Sequence, residues 1–301
     1  MKDVAFKSET LRTAIAGATV RCSAKSIDAI QNGTVPKGDP LPYAKAACFL
    51  GVKKTPDLIP HCHPLLIESV DVDFKIEGNE IKIEATVTAS AKTGMEMEAL
   101  TGASMAALTI YDILKPIDDD IEITSVTLIK KRGGKSDFKV NLPAGFKAAV
   151  LVTSDSTSQG TREDKSGKVI MESLKKFNVT DIDYGVVPDE KEVIKEKIEN
   201  YCADGIQMVI TTGGTGPGPR DVTAEATSEV IKREMPGISD TIKGYGQKRT
   251  PYAMFSRGLA GLNEKTVIIN LPGSTKGAQD GMNAIFPAIF HIYDMMEGKG
   301  H

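Results

Sequence analysis

The stretch VDVDFKIEGNEIKIEATV, from Val70 to Val87, decides how the first part of the chain folds. Val70, Val72, Phe74 and Ile76 alternate with Asp71, Asp73, Lys75 and Glu77. After Gly78-Asn79, Ile81, Ile83, Ala85 and Val87 alternate with Glu80, Lys82, Glu84 and Thr86. Successive side chains on a strand point to opposite faces, so each run has one apolar and one wet face. Two such runs joined by a Gly-Asn pair predict a β-hairpin. Downstream, an Ala-, Leu- and Met-rich stretch from about Met97 to Leu114 predicts a long helix stopped by Pro116. EITSVTLIKK then returns as a strand. The expectation is an α+β unit with an antiparallel sheet packed under helices.

The style changes near Lys139. KVNLPAGFK has Pro143 and Gly145 and little periodicity, and residues 139–146 read as a linker between units 1–138 and 147–301. Beyond it, AAVLVTS, DYGVV, MVITTGG and TVIINLPG are short β-branched runs. Helical stretches follow them, around Ser166 to Phe177, Glu190 to Ala203, Val222 to Arg233 and Lys276 to Met296. That alternation predicts an α/β unit, a three-layer, Rossmann-like parallel sheet with helices on both faces.

A chain of 301 residues suits two domains, each long enough to bury a core. With 41% hydrophobic and 26% charged residues the composition is that of a globular protein. A formal net charge of −3 argues against nucleic acid as a partner, since a polyanion binder is strongly basic. No stretch is apolar enough to span a bilayer, so no membrane partner is expected, and MKDVAFKSET lacks the apolar centre of a signal peptide. The four cysteines are scattered without a C-x-x-C pair, which suggests reduced thiols and a cytoplasmic location.

His61, Cys62 and His63 stand side by side. Zinc needs three or four convergent ligands, but on an extended segment the two histidines face away from Cys62. The other histidines are only His291 and His301, so a zinc site is a poor fit. Cys62 reads as a small hydrophobe, and the histidines as structural or substrate-binding. Glu96 and Glu98 open the apolar helix, a favourable place for acids. Asp112 and Lys115 share one of its faces, rotated only about 40° from Glu98. PKGD (Pro36 to Asp39) and KRGGKSDF (Lys131 to Phe138) are basic, glycine-bearing loops suited to phosphate.

The set MKDVAFKSETLR, PKGDPL, KKTPDLIPHCHPL, GMEMEALTGASMAALTIYDILK and RGGKSDF resembles cyclic pyranopterin monophosphate synthase, in order across residues 1–138. The resemblance implies a ferredoxin-like unit. It implies conversion of a GTP-derived cyclised nucleotide triphosphate, 3',8-cyclo-dihydro-GTP, into a pterin with a cyclic phosphate, releasing pyrophosphate. Asp112 would be the catalytic acid or base, with Lys37 and Lys115 as partners. His61, Cys62 and His63, with Glu96, Met97 and Glu98, would bind substrate, and Arg12, Lys135 and Arg21 would face the triphosphate. All would share one pocket. Arg132 and Asp137 depart from the family's pattern around the glycine pair. Proton transfer and diphosphate departure suit a carboxylate with amines, with no metal required or with Mg²⁺.

TTGGTGPGPRDVT (Thr211 to Thr223) follows a strand and precedes a helix, on the sheet edge where α/β proteins bind anions. It is neither a Walker A loop nor G-x-G-x-x-G. Asp189, in VVPDE, and Asp221 begin helices on that edge, where Asp is also a preferred cap. They could converge on Mg²⁺. NLPGSTKG and TSDST lie on the same edge. With REMPG and SRGLAG, this part resembles molybdopterin adenylyltransferase over residues 147–298. The resemblance implies AMP transfer from Mg-ATP to the phosphate of molybdopterin. Asp189 and Asp221 would organise metal and substrate, Gly213, Gly214 and Gly216 would approach phosphates, and Asp155 and Ser274 would bind substrate. Relatives of this second part also suggest the alternative of a pterin-binding or oligomerising module. The two families suggest a homo-oligomer, a hexamer or a trimer.

Overall fold

The computed structural model describes residues 1–134, 137 and 142–298. The chain divides into two compact units, Met1–Asp137 and Phe138–His301. The first contains β1 (Thr10–Arg21), α1 (Ala24–Gln31), α2 (Pro40–Leu58), β2 (Ser69–Glu77), β3 (Glu80–Ala91), α3 (Glu96–Leu114) and β4 (Glu122–Arg132). The strands form an antiparallel sheet in the order β2-β3-β1-β4. The expected hairpin is present: Glu77 pairs with Glu80 across Gly78-Asn79, and Gly78 takes a φ of +60° that suits glycine.

One face of this sheet is dry. Ala14, Ala16, Ala18 and Val20 of β1 lie with Ile81, Ile83, Ala85 and Val87 of β3 in a core completed by α2 and α3. The two helices approach closely because glycine stands at their contact. A Cβ on Gly51 would lie 2.7 Å from Met105 Cγ, and one on Gly102 would lie 2.7 Å from Val52 Cγ2. Asp39 starts α2 by accepting from the Leu41 N–H, with Pro40 in the first turn. This close packing fixes the axis of α3, and with it the positions of the polar groups at its two ends.

The second unit contains β5 (Lys147–Thr153), α4 (Asp155–Ser158), α5 (Ser166–Lys175), β6 (Asp181–Val187), α6 (Lys191–Ala203), β7 (Met208–Thr212) and α7 (Thr223–Val230). It continues with β8 (Arg233–Glu234), α8 (Pro236–Gln247), β9 (Ala260–Asn263), β10 (Thr266–Leu271), α9 (Thr275–Ile285) and α10 (His291–Met296), with single 3-10 turns at Pro251–Phe255 and Ala288–Phe290. The sheet order is β6-β5-β7-β10-β9-β8. The four expected strands, β5, β6, β7 and β10, are parallel, and apolar clusters cover both faces.

Three local expectations are corrected. The sheet is mixed, because β9 and β8 add an antiparallel edge. α7 ends at Val230 rather than Arg233, since Arg233 pairs with Leu262. The helix expected from Lys276 to Met296 breaks at Phe286-Pro287, where proline lacks the N–H a helix interior needs. Among the described residues, no helix is long and apolar enough to cross a membrane.

Candidate active sites

In the first unit the polar groups gather at both ends of α3. At its C-terminal end Lys115 Nζ lies 2.7 Å from Asp112 Oδ1. Lys37 Nζ lies 3.0 Å from Asp112 Oδ2 and donates to the Asp112 carbonyl oxygen at 2.8 Å. Helical spacing puts Asp112 and Lys115 together, and the loop before α2 brings Lys37. Lys115 and then Lys37 hold the Asp112 carboxyl below its usual range, while Asp112 holds the Lys115 ammonium above its own. All three side chains are exposed, so the cluster is open to a ligand and contributes little to stability.

At the N-terminal end Glu98 is only 3% exposed. Burial, with the charge of Glu96, pushes its carboxyl up. Cys62 is half-buried beside it, and burial followed by the Glu98 charge raises the thiol. His61 is exposed and His63 half-buried on the irregular segment after α2. Met97 is partly exposed, and Glu96 pairs with Lys131 of β4 at 3.1 Å. Among the described residues no group of three His, Cys, Asp or Glu side chains converges as a metal shell.

Arg12 is engaged within the fold. Its Nε donates to Ala91 O at 3.2 Å and its Nη1 to Gly133 O at 2.9 Å. The guanidinium fills the space a Cβ on Gly134 would need, and a Cβ on Gly133 would meet the Leu11 carbonyl oxygen. Asp137 accepts from the Gly133 N–H, so this departure from the family pattern closes the same turn. Arg12 therefore ties the end of β3 to Gly133, and Lys135 lies outside the described residues. Arg21 pairs with Glu122 on β4.

Within one copy the two clusters stand at opposite ends of α3. Glu98 and Asp112 are 14 residues apart on one helix, which is an axial separation of about 21 Å. Rotational agreement along a helix face says nothing about distance along its axis.

In the second unit the carboxyl edge of the sheet carries the polar groups. Asp155 N–H donates to Asp189 Oδ2 and Asp189 N–H donates to Asp155 Oδ1, both at 3.0 Å. Arg220 grips Asp155 with three contacts of 2.8 to 3.0 Å, and this ion pair holds the Asp155 carboxyl low. Asp189 behaves oppositely. Burial, and the nearby charges of Asp155 and Asp221, push its carboxyl up against the pull of the Asp155 N–H and Arg220. Its Oδ1 is buried without a hydrogen-bond partner and would lie 3.2 Å from a Cβ on Gly214.

Neither aspartate caps a helix as expected. Glu190 and Val222 hold the N-cap positions, and Asp221 instead accepts from the Gly218 N–H at 2.9 Å within the glycine loop. Arg257 staples that loop, donating to Gly216 O at 2.7 Å and to Asp221 O. The glycines serve the fold directly. A Cβ on Gly213 would collide with Thr153, one on Gly214 with Thr223, and one on Gly216 would lie 2.8 Å from Asp221 Oδ2. Ser274 caps α9 by accepting from the Gly277 N–H at 3.1 Å.

Two cavities flank this edge. A polar one of about 590 Å³ is lined by Ser154, Thr157, Arg162, Lys165, Gly213 and Ser274. Another of about 450 Å³, more apolar, lies between α8 and α9 and also reaches Ser274. Arg162, Lys165, Arg220 and Arg257 were not anticipated from the sequence as site residues, although the motifs PRD and SRGLAG contain the last two.

Residues 1–134 match the MoaC family, and residues 149–291 match a family described as a probable molybdopterin binding domain. Over all 301 residues the chain is 39% identical to the molybdenum cofactor biosynthesis bifunctional protein of Chlorobaculum tepidum, covering 96% of that protein. Over 136 residues it is 48% identical to the cyclic pyranopterin monophosphate synthase of Novosphingobium aromaticivorans, covering 45% of this chain and 87% of that one. Its second half is also similar to the molybdopterin biosynthesis enzyme MoaB of Thermus thermophilus, at 38% identity and a TM-score of 0.49, over 51% of this chain and 98% of that chain.

Proposed function

The chain belongs to the bifunctional molybdenum cofactor biosynthesis family, with an N-terminal MoaC-like part and a C-terminal MogA/MoaB-like part, and from that premise we propose that it carries two activities. The first unit converts 3',8-cyclo-dihydro-GTP into cyclic pyranopterin monophosphate and releases pyrophosphate. The second transfers AMP from Mg-ATP to the phosphate of molybdopterin and releases pyrophosphate.

The observation that carries the first activity is Asp112 bracketed by two ammonium groups. Ring rearrangement moves protons on and off nitrogen and carbon. An ionised Asp112 accepts a proton, and an ammonium of Lys37 or Lys115 returns one. The same ammoniums neutralise charge that builds as a cyclic phosphate closes and pyrophosphate leaves. His61, Cys62, His63, Met97 and Glu98 would hold the substrate, with Arg12 and Lys135 toward the triphosphate. Because about 21 Å of helix separates the two clusters, a working site takes the C-terminal end of α3 from one copy and the N-terminal end from another. That requirement is the physical reason to expect a homo-oligomer. Incubating the purified protein with the cyclised nucleotide, and resolving products by mass, tests the reading. Product formation that survives Asp112→Asn would overturn it.

For the second activity the support is the orphaned Asp189 Oδ1 on the edge that carries the glycine loop. A buried acceptor with no donor fits a cation better than a structural hydrogen bond. Asp189 and Asp221 would hold Mg²⁺, with remaining positions left to phosphate oxygens and water, as Mg²⁺ prefers. When bound, the ion would neutralise charge on the reacting phosphates. Arg162 and Lys165 line the polar cavity, where phosphate groups of ATP would meet them. A second reading, a binding or oligomerising module without turnover, is favoured by the way the glycines and Asp221 already satisfy one another. Molybdopterin with Mg-ATP decides between them. Adenylylated product that disappears in Asp221→Asn supports catalysis, and bound pterin without product supports the module.

A further inference from the structure

We infer that the ion pair between Arg220 and Asp155 is a strut that sets the spacing of Asp189 and Asp221, which makes Arg220 and Asp155 positioning residues for the cation those two carboxylates would hold. The inference rests on the cation reading of the second site and assigns what aligns that site's ligands.

The loops after β5, β6 and β7 lie side by side, and the sheet order β6-β5-β7 puts the β5 loop in the middle. Asp155 stands on that middle loop, at the start of α4. On one side it is bonded to the β6 loop. Ser154 N–H donates to Val187 O at 2.9 Å, and the Asp155 and Asp189 N–H groups each donate to the other's carboxylate at 3.0 Å. On the other side Arg220 reaches it from the β7 loop. Arg220 Nε donates to Asp155 Oδ2 at 3.0 Å, and Nη2 to Oδ1 at 2.8 Å and to Oδ2 at 2.9 Å. Arg220 is itself held, because Gly218 and Asp221 close a turn around it. Gly218 N–H donates to Asp221 Oδ2 at 2.9 Å, and Asp221 N–H donates to Gly218 O at 3.0 Å. A continuous chain of bonds therefore runs from the Asp221 turn through Arg220 and Asp155 to Asp189.

The acceptor count shows what is left for a ligand. A carboxylate offers about four lone-pair sites. Asp155 meets three contacts from Arg220 and one from the Asp189 N–H, so its acceptor sites are filled. It shapes the site and leaves ligand contact to others. Asp189 is the reverse. Its Oδ2 accepts from the Asp155 N–H, and its Oδ1 is buried with no donor. An unrestrained side chain would turn to pair such an oxygen. The bond to Asp155 opposes that turn and keeps Oδ1 beside Gly214.

Arginine suits this role better than lysine. Its planar fork fixes both oxygens of a carboxylate, whereas an ammonium neutralises charge without fixing the plane. The two side chains are 59% and 37% exposed, and an exposed ion pair adds little to stability. Mg²⁺ demands near-ideal octahedral geometry, so a small shift between two of its ligands costs affinity. The strut thus acts on the alignment of the site more than on the fold.

The test is a titration of the full chain with Mn²⁺, with the free ion read by electron paramagnetic resonance and Asp189→Asn marking the site by difference. Mn²⁺ takes the same oxygen ligands as Mg²⁺. The Asp189-dependent site should weaken about tenfold in Arg220→Met, the usual effect of removing a group that orients a metal ligand. Arg220→Lys should restore part of that loss. Arg220→Met combined with Asp155→Asn should bind no more weakly than Arg220→Met alone, because both changes break the same strut. The metal-free melting midpoint of the second unit should stay within about 4 °C of the wild type. Arg220→Lys stays informative if Arg220→Met loosens the loop. Wild-type affinity in both Arg220 variants would overturn the inference and leave the cation reading standing. Losses that add in the double variant would also overturn it, since Arg220 would then act apart from Asp155. Mn²⁺ binding that ignores Asp189→Asn would remove the cation reading and the inference with it.

Discussion

Gly213 begins the loop on which the second site depends, and alanine there should be costly for two separable reasons. Its φ is +107°, a conformation L residues rarely adopt. Enforcing a left-handed conformation costs roughly 1–2 kcal/mol. The added Cβ would also lie 2.8 Å from Thr153 Oγ1 and closer still to the Thr153 carbonyl oxygen. Thr153 cannot yield freely, because its hydroxyl is bonded to Thr223 at 3.0 Å and Thr223 N–H donates to Gly214 O at 3.0 Å. Relieving the clash therefore moves backbone or breaks bonds worth about 1 kcal/mol each. The total for Gly213→Ala is about 3 kcal/mol, a sizeable share of the roughly 5–15 kcal/mol that holds a domain together. Gly145 provides the control. Its φ is +69°, and nothing lies within 4 Å of where its Cβ would be. Gly145→Ala should cost only the conformational part, about 1 kcal/mol. Calorimetric melting of the full chain reads the difference. For a unit of this size each kcal/mol moves the midpoint by about 2–4 °C, so the second unit's transition should fall by about 6–12 °C in Gly213→Ala and by about 2–4 °C in Gly145→Ala. Equal shifts for the two variants would refute the argument that contact with Thr153, rather than backbone strain alone, fixes the loop.

Asp118 is buried and accepts from the Ser23 N–H at 2.7 Å, the Ser26 hydroxyl at 2.8 Å and the Asp120 N–H at 3.0 Å. Burial raises its carboxyl, but these bonds outweigh it and bring the group down to about 2. A depressed value means stability that is present above the unfolded value of ~3.9 and lost as pH falls through the folded value. Asp118→Ala should cost about 1–3 kcal/mol at neutral pH and much less near pH 2, read by urea unfolding. A cost independent of pH would contradict the assignment. Asp189 has the opposite sign, since burial raises it. Its contribution is full below ~3.9 and is lost as pH rises through the folded value. Asp189→Asn should therefore gain on the wild type in urea midpoint between acid and neutral pH while losing any Mg²⁺-dependent rise in midpoint. Parallel midpoint curves for the two proteins would refute this.

Much of the fold was legible because the signals are local. The period-two alternation around Gly78-Asn79 depends on neighbours only, and the short β-branched runs of β5, β6, β7 and β10 need no partner to be recognised. The antiparallel edge was not legible. β9 is the short run Ala260–Asn263, whose apolar residues look like loop until β10 and β8 pair with it. α8 was hidden for a different reason: Gly237, Gly244 and Gly246 lower its intrinsic helical propensity, and tertiary packing compensates. The Asp112–Lys115 pair followed from helical spacing. The partnership of Lys37 with Asp112 came only through family resemblance, since the two lie 75 positions apart in sequence. The separation of Glu98 and Asp112 was not legible from spacing alone, because angle around a helix carries no information on distance along it. The reciprocal Asp155–Asp189 bonds and the Arg220 and Arg257 contacts join distant loops, and no spacing rule reveals them.

The claim on which the first activity turns is that two copies complete one site. Coexpressing Asp112→Asn and His63→Ala chains with different tags, and assaying the doubly purified complex, addresses it directly. Each variant alone should be inactive. If random pairing across a twofold interface restores one intact site in each mixed pair, the unfractionated mixture should recover about a quarter of wild-type turnover, and the doubly purified complex about half. A mixed complex as inactive as either parent would contradict the account.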